Sequence, residues 1–87
     1  MIGDFYITEK FNYSAIRAAT TFPLFVVFKD PIDYPGKFVV RVFDVNQPTS
    51  YCAVKDNYKD AIDTIPEFLN KIPRDPKDDY HILETWM

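Results

Sequence analysis

The sequence predicts an α+β domain in which a small antiparallel sheet, made of a three-strand meander and a C-terminal strand, packs on one main helix. Three runs rich in β-branched and aromatic residues follow one another between residues 24 and 55, with turn signals between them. A helical pattern follows at residues 56–65, and a last strand-like run at residues 80–86. A chain of 87 residues has room for one core. We therefore expect a single domain, with a βββαβ core over residues 22–87 and an N-terminal extension over residues 1–21.

The N-terminal extension carries two short predicted elements. Residues 5–7 are predicted as an edge strand, and residues 14–20 as a short helix with Asn12 or Ser14 as its cap. Because one helix covers only one face of a sheet, we expect the apolar residues of this extension to fold back over the other face. Otherwise that face is a surface for a partner or for a second copy of the chain.

Turn-forming residues separate the strands of the meander. Residues 24–29 make the first strand, and the loop after it contains Tyr34-Pro35-Gly36. Proline suits the second position of a type II turn, and glycine accepts the positive φ that this turn needs. Residues 37–45 carry apolar side chains on both faces, as a central strand does, and residues 49–55 make the third strand. Because a helix intervenes, the sequence does not decide where the last strand lies.

The main helix is predicted from the spacing of its apolar residues and from its boundaries. Asp56 or Asn57 is suited to cap its N-terminus. Pro66 disfavours helical backbone at the residue before it, so we expect one helix over residues 56–64 and a separate helical turn over residues 66–71. The apolar residues recur at intervals of four, three and four: Tyr58, Ile62, Ile65 and Leu69.

Composition and charge disfavour several classes of protein. Ten basic and thirteen acidic residues leave a net charge of −3, which disfavours direct binding of nucleic acid through its phosphates. The longest uncharged apolar run, residues 22–28, is too short to cross a membrane, and no signal-peptide pattern is present. One cysteine cannot form an internal disulfide, which is typical of proteins in the reducing cytosol. We therefore expect a cytoplasmic protein that binds neither nucleic acid nor a membrane.

The sequence holds few groups suited to catalysis. It has one histidine and one cysteine, and it shows neither a glycine-rich phosphate loop nor a metal-ligand spacing. We therefore predict no enzymatic activity, no catalytic residues, no cofactor and no metal site. The alternative is an enzyme that uses a thiolate–imidazole pair of Cys52 and His81, which lie on different predicted strands.

Four acidic residues recur at intervals of four, three and four on the side of the predicted helix opposite its apolar residues: Asp56, Asp60, Asp63 and Glu67. Such a stripe is usually the solvated face of an amphipathic helix. The alternative is that these carboxylates, together with Asp30 and Asp33, imitate the phosphates of a nucleic acid and occupy the basic groove of a nucleic-acid enzyme.

Binding of a protein partner is the function most consistent with the sequence. The candidate contact residues are the four acidic residues, together with Arg41 and Phe43 on one face of the second strand and Trp86 near the end of the last strand. The first hypothesis is a small non-enzymatic interaction module whose partner the sequence does not identify. A homodimer through an edge strand or through the aromatic face of the sheet is one form of this hypothesis.

Several short motifs between residues 34 and 86 form a wider pattern. They are Tyr-Pro-Gly-Lys-Phe-Val-Val-Arg at residues 34–41, Pro48-Thr49-Ser50-Tyr51, Ile65-Pro66, Asp78-Asp79 and Glu84-Thr85-Trp86. In this pattern the chain resembles short uncharacterised open reading frames of Gram-positive bacteria and their mobile elements, over about residues 22–87. The resemblance implies a self-contained small module and assigns no catalytic or binding residue. The second hypothesis is accordingly an inhibitor encoded by a mobile element, with the acidic helix face as its nucleic-acid mimic.

Overall fold

The structure, a computed structural model, describes residues 6–87. In this part of the chain two short helices and six strands follow one another, so the predicted α+β class is confirmed. The helices are α1 (Tyr13–Ala19) and α2 (Tyr58–Asp63). The strands are β1 (Tyr6–Ile7), β2 (Pro23–Lys29), β3 (Phe38–Asp44), β4 (Gln47–Lys55), β5 (Lys71–Pro73) and β6 (Ile82–Trp86).

All six described strands belong to one sheet with the order β1-β4-β3-β2-β6-β5. Neighbouring strands are antiparallel, except that β1 runs parallel to β4. The sheet is therefore larger than the predicted meander with one added strand, because β1 and β5 extend its two edges. The C-terminal strand β6 lies beside β2 and places Trp86 opposite Phe25. The predicted helical turn over residues 66–71 is wrong at its last residue, since Lys71 begins β5.

The longest uninterrupted pairing in the sheet joins β2 and β3, from Pro23 opposite Asp44 to Lys29 opposite Phe38. The turn expected between these strands is present. The backbone N–H of Lys37 donates to the carbonyl of Tyr34 at 3.2 Å, and Gly36 has φ +77°, the positive value that a type II turn requires.

Both helices lie on one face of the sheet. Phe25 is fully buried at the centre of this face, and its ring meets Phe11 edge-on with 5.3 Å between the ring centroids. The buried cluster combines α1, α2 and the middle strands: Phe11, Ile16, Phe25, Val27, Val40, Val42, Ala53, Ala61 and Ile65. The expectation that the N-terminal extension covers the opposite face is therefore wrong for Phe11 and Ile16, which pack beside α2. The predicted strand at residues 5–7 is present for Tyr6 and Ile7, whereas Phe5 lies outside the described residues.

The opposite face of the sheet is partly covered by the loop between β2 and β3. Val39 and Cys52 on this face are fully buried. The guanidinium of Arg41 lies 5.9 Å from the ring centroid of Phe28 and forms an ion pair with Asp33 of the loop. A cation that both stacks on a ring and pairs with a carboxylate joins the loop to the sheet.

The two edges of the described sheet are short. β1 has two residues, and β5 has three and ends in Pro73, which has no backbone N–H to donate. At the β5 edge, a short strand that ends in proline disfavours pairing with a strand of another chain. In the described part of the chain, no helix has the length and apolar character needed to cross a membrane.

Candidate functional site

Helix α2 is short because it has strong signals at both ends. At its start, the side-chain oxygen of Asn57 accepts from the backbone N–H of Asp60 at 2.9 Å, and its amide donates to the Asp60 carboxylate at 3.1 Å. At its end, Thr64 donates both its backbone N–H and its hydroxyl to the carbonyl of Ala61, and Pro66 follows. The helix is therefore Tyr58–Asp63 rather than the predicted residues 56–64.

The short helix divides the predicted acidic stripe. Asp60 and Asp63 lie on α2, whereas Asp56 precedes its cap and Glu67 follows Pro66. Asp56 forms an ion pair with Lys37, and the hydrogen bond and positive charge of this lysine lower the pKa of the aspartate. Glu67 is exposed and has no hydrogen bond or ion pair with any residue that the structure describes. The four carboxylates therefore do not form one uncompensated row.

Three of the predicted contact residues, Asp63, Glu67 and Trp86, line one groove of about 360 Å³. We call it the Trp86 groove, and its lining residues are Lys10, Ile62, Asp63, Ile65, Pro66, Glu67 and Trp86. The end of α2, the turn at Pro66 and strand β6 form its walls. Its floor is apolar, because Ile65 and Pro66 are buried.

The N-terminal segment closes one side of the Trp86 groove. The ammonium of Lys10 donates to the carbonyl of Asp63 at 3.1 Å, and the backbone N–H of Phe11 donates to the carbonyl of Thr64 at 3.0 Å. Both bonds satisfy carbonyls at the C-terminal end of α2 that have no partner within the helix. They hold the segment against the groove.

Trp86 has a fixed orientation in the groove. Its indole N–H donates to the carboxylate of Glu84 at 3.0 Å, and the same carboxylate accepts from the hydroxyl of Tyr58 on α2. Glu84 is only 7% exposed, so these two donors replace the water that an ionised carboxylate would otherwise bind. The network joins β6 to α2 next to the groove and restrains the indole ring.

Tyr58 differs from an ordinary tyrosine because of this network. Removal of the hydroxyl from water, followed by its hydrogen bond to Glu84 and the negative charge of that carboxylate, raises the pKa of Tyr58 to about 12. The fold therefore favours the neutral phenol. Its contribution to stability is fully present below the ordinary pKa of 10.0 and is lost as the pH rises through about 12.

We expect the absorbance of phenolate in wild type to include a step at about pH 12 that is missing from Tyr58→Phe. Glu84→Gln removes the negative charge, so the step should move towards 10.0 without reaching it, because burial remains. A titration in which Tyr58→Phe retains the late step would contradict the assignment.

The other predicted contact residues lie away from this groove. Arg41 and Phe43 are on the face of the sheet opposite Trp86, since Arg41 pairs with Val26 while Trp86 pairs with Phe25. Arg41 interacts with Phe28 and Asp33, and Phe43 is half-buried. The seven predicted residues therefore do not form one surface.

Cys52 and His81 are not brought together. Cys52 is on β4 and His81 precedes β6, and β3 and β2 lie between these strands, so the two residues are about 14 Å apart or more from strand spacing alone. Burial raises the pKa of the Cys52 thiol, although the charge of Arg41 opposes this effect. The Nδ1 of His81 lies 3.2 Å from the carbonyl of Lys29.

Among the described residues, no group of three or more His, Cys, Asp or Glu side chains is placed to hold a metal ion.

A second groove, of about 480 Å³, meets the first at Lys10. Its other lining residues come from the N-terminal segment, α1 and β4: Thr8, Phe11, Asn12, Ala15, Ile16, Ser50 and Tyr51. It is the larger of the two, but none of its described lining residues is acidic. The Trp86 groove is therefore the better candidate site.

Comparisons with protein-family models, with curated proteins and with solved structures gave no match to this chain.

Sequence reasoning missed the residues that complete the site. Lys10 lies in the N-terminal extension, for which the sequence predicts no contact residue, and the pattern predicts Tyr58 only as a residue of the apolar helix face. Glu84 had a usable signal, because residues two apart in a strand share a face and Trp86 is two residues away. A carboxylate on the same strand face as the only tryptophan indicates a hydrogen-bonded pair, but the sequence does not show that Tyr58 joins it.

Proposed function

We propose that this chain is a small protein–protein interaction module without enzymatic activity, and that the Trp86 groove is its contact surface. The observation that carries the proposal is a tryptophan ring held by a buried carboxylate at an apolar groove. Tryptophan in well-packed pockets is enriched among residues that dominate binding energy.

A restrained groove binds at a lower entropic cost than a mobile one. The ring of Trp86 is tied to Glu84, and Pro66 in the floor of the groove has a fixed φ. The remaining side is tied to α2 through Lys10. These three residues have little side-chain freedom to lose on binding, so more of their contact energy contributes to affinity.

The inhibitor hypothesis has less support than the interaction module. A nucleic-acid mimic needs several uncompensated carboxylates on one surface. Asp56 pairs with Lys37, and Asp63 pairs with Lys59 at 3.3 Å. We therefore place the contact surface at the groove rather than along the acidic residues.

The proposal predicts that truncation of the groove wall weakens capture of a partner. We would immobilise the full chain, pass a lysate of its source organism over it, and compare wild type with Ile62→Ala and with Leu24→Ala. Both residues are half-buried and apolar, but Leu24 lies on the opposite sheet face. We expect capture of a specific partner to fall about fivefold or more with Ile62→Ala and to be unchanged with Leu24→Ala.

Thermal unfolding of both variants would confirm that the captured amounts refer to folded protein. A retained second copy of the chain would identify a homodimer, and the same two variants would show whether it uses the groove. Equal capture by wild type and Ile62→Ala would show that the Trp86 groove is not the contact surface.

A further inference from the structure

We infer that the Trp86 groove receives an arginine side chain of a partner protein, with the guanidinium on the indole ring and Glu67 as its counter-ion. This inference rests on the proposed function, because it names the chemistry of the partner at the same groove. It depends on three features of the groove: the ring of Trp86, the carboxylate of Glu67 and the apolar floor.

The indole ring provides the first feature. Tryptophan attracts a cation over its face more strongly than tyrosine or phenylalanine does, and arginine is the cation found there most often. Trp86 lines the groove and is half-buried, with its N–H already bound to Glu84. The indole N–H is therefore already hydrogen-bonded inside the protein, so a guest in the groove would bind the ring through its π surface.

Glu67 provides the second feature. It is exposed, lines the same groove and has no hydrogen bond or ion pair with the residues described in the structure. A planar guanidinium can stack on a ring and donate two parallel hydrogen bonds to a carboxylate, whereas an ammonium cannot do both with the same geometry. A carboxylate and a tryptophan in one groove therefore favour arginine over lysine.

The charge of the lining residues agrees with a cationic guest. Two lining residues are acidic, Asp63 and Glu67, and one is basic, Lys10, so the groove has a net charge of −1. The Lys10 ammonium is bound to the Asp63 carbonyl, which places its charge at the α2 side of the groove. Because Asp63 also forms an ion pair with Lys59, Glu67 is the lining carboxylate that would meet the cationic guest.

The apolar floor fits the aliphatic part of an arginine. Ile65 and Pro66 are buried beneath the groove, and Ile62 is half-buried in its wall. Arginine buries its methylene groups along apolar surface while its charged end stays near water. The same side chain can thus use the floor, the ring and the carboxylate.

The test uses the single tryptophan of the chain, whose indole N–H gives one resonance in a proton–nitrogen correlation spectrum. The isotope-labelled full chain is titrated with acetyl-Ala-Ala-X-Ala-Ala-amide peptides in which X is arginine, lysine, norleucine or glutamate. We expect the arginine peptide to shift the Trp86 resonance in a saturable way and the lysine peptide to bind more weakly. Norleucine and glutamate should give no saturable shift.

Two charge-matched variants locate the contact. Glu67→Gln should weaken binding of the arginine peptide by about threefold to fivefold, and added salt should weaken binding to wild type. Glu9→Gln removes the same charge from an exposed residue that does not line the groove, so its affinity should equal that of wild type.

The outcomes separate this inference from the proposed function. If partner capture depends on Ile62 but the norleucine or glutamate peptide binds as well as the arginine peptide, the module stands and the arginine assignment is wrong. An arginine peptide that leaves the Trp86 resonance unshifted, or binds Glu67→Gln as tightly as wild type, also overturns the assignment. If Ile62→Ala in addition leaves capture unchanged, both proposals are wrong.

Discussion

We expect Phe25→Ala to lower the free energy of unfolding by about 3–5 kcal/mol, the range for loss of a buried phenylalanine. The side chain is fully buried on β2, which has a strand on each side. Its ring meets Phe11 at 5.3 Å and stacks on Tyr13 at 6.3 Å, so truncation leaves a cavity between the sheet and the N-terminal segment. Small domains are stabilised by only about 5–15 kcal/mol in total. The variant should therefore be close to unfolding at room temperature.

Urea denaturation of three variants would measure this effect. Phe22→Ala is the matched control, because Phe22 is 48% exposed just outside the same strand, and its loss should change stability by about 0.5 kcal/mol or less. Phe25→Leu keeps most of the buried volume and should cost about 1.5 kcal/mol or less. If Phe25→Ala proved no more destabilising than Phe22→Ala, the description of the core would be wrong.

The features that sequence predicts well are those with a local cause. The positive φ of Gly36 follows from a Pro-Gly turn, and the start of α2 follows from the hydrogen-bonding side chain of Asn57. In the same way, Asn12 caps α1 and accepts from the backbone N–H of Ala15. In each case the residue and the backbone it controls are within a few positions of each other.

The features that sequence missed depend on contacts between distant segments. β5 consists of three exposed residues, so it has no alternation of buried and exposed side chains and is defined only by its pairing with β6. The face on which α1 lies depends on where Phe11 and Ile16 find a surface to bury them, and an amphipathic pattern does not specify which face of a sheet this is.

The candidate site could be predicted only in part, because it too depends on contacts between distant segments. Charge and aromatic character predict Asp63, Glu67 and Trp86 as contact residues, and the fold brings them to one groove. The same criteria predict Arg41 and Phe43, but the alternation of β3 places them on the other face of the sheet. Residue type identified contact candidates, whereas only the topology showed which of them share a surface.

The second large effect is expected at Glu84, which we regard as a positioning residue for the Trp86 groove. Glu84→Leu removes the acceptor of both the Trp86 indole N–H and the Tyr58 hydroxyl, so we expect a loss of about 1–3 kcal/mol in the free energy of unfolding. Glu84→Gln keeps the shape of the side chain and one amide oxygen as acceptor. It should recover part of this stability.

A purely structural role for Glu84 would change stability alone, whereas a positioning role must also change the ring of Trp86 and its binding. In folded Glu84→Leu we expect a shifted indole resonance and a weaker response to the arginine peptide, although Glu84 does not line the groove. Because the indole ring has lost the bond that restrains it, its ordering is added to the cost of binding. Glu84→Gln should restore both readouts together. If Glu84→Leu lost stability but retained the wild-type indole resonance and peptide affinity, the carboxylate would support the fold without orienting the groove.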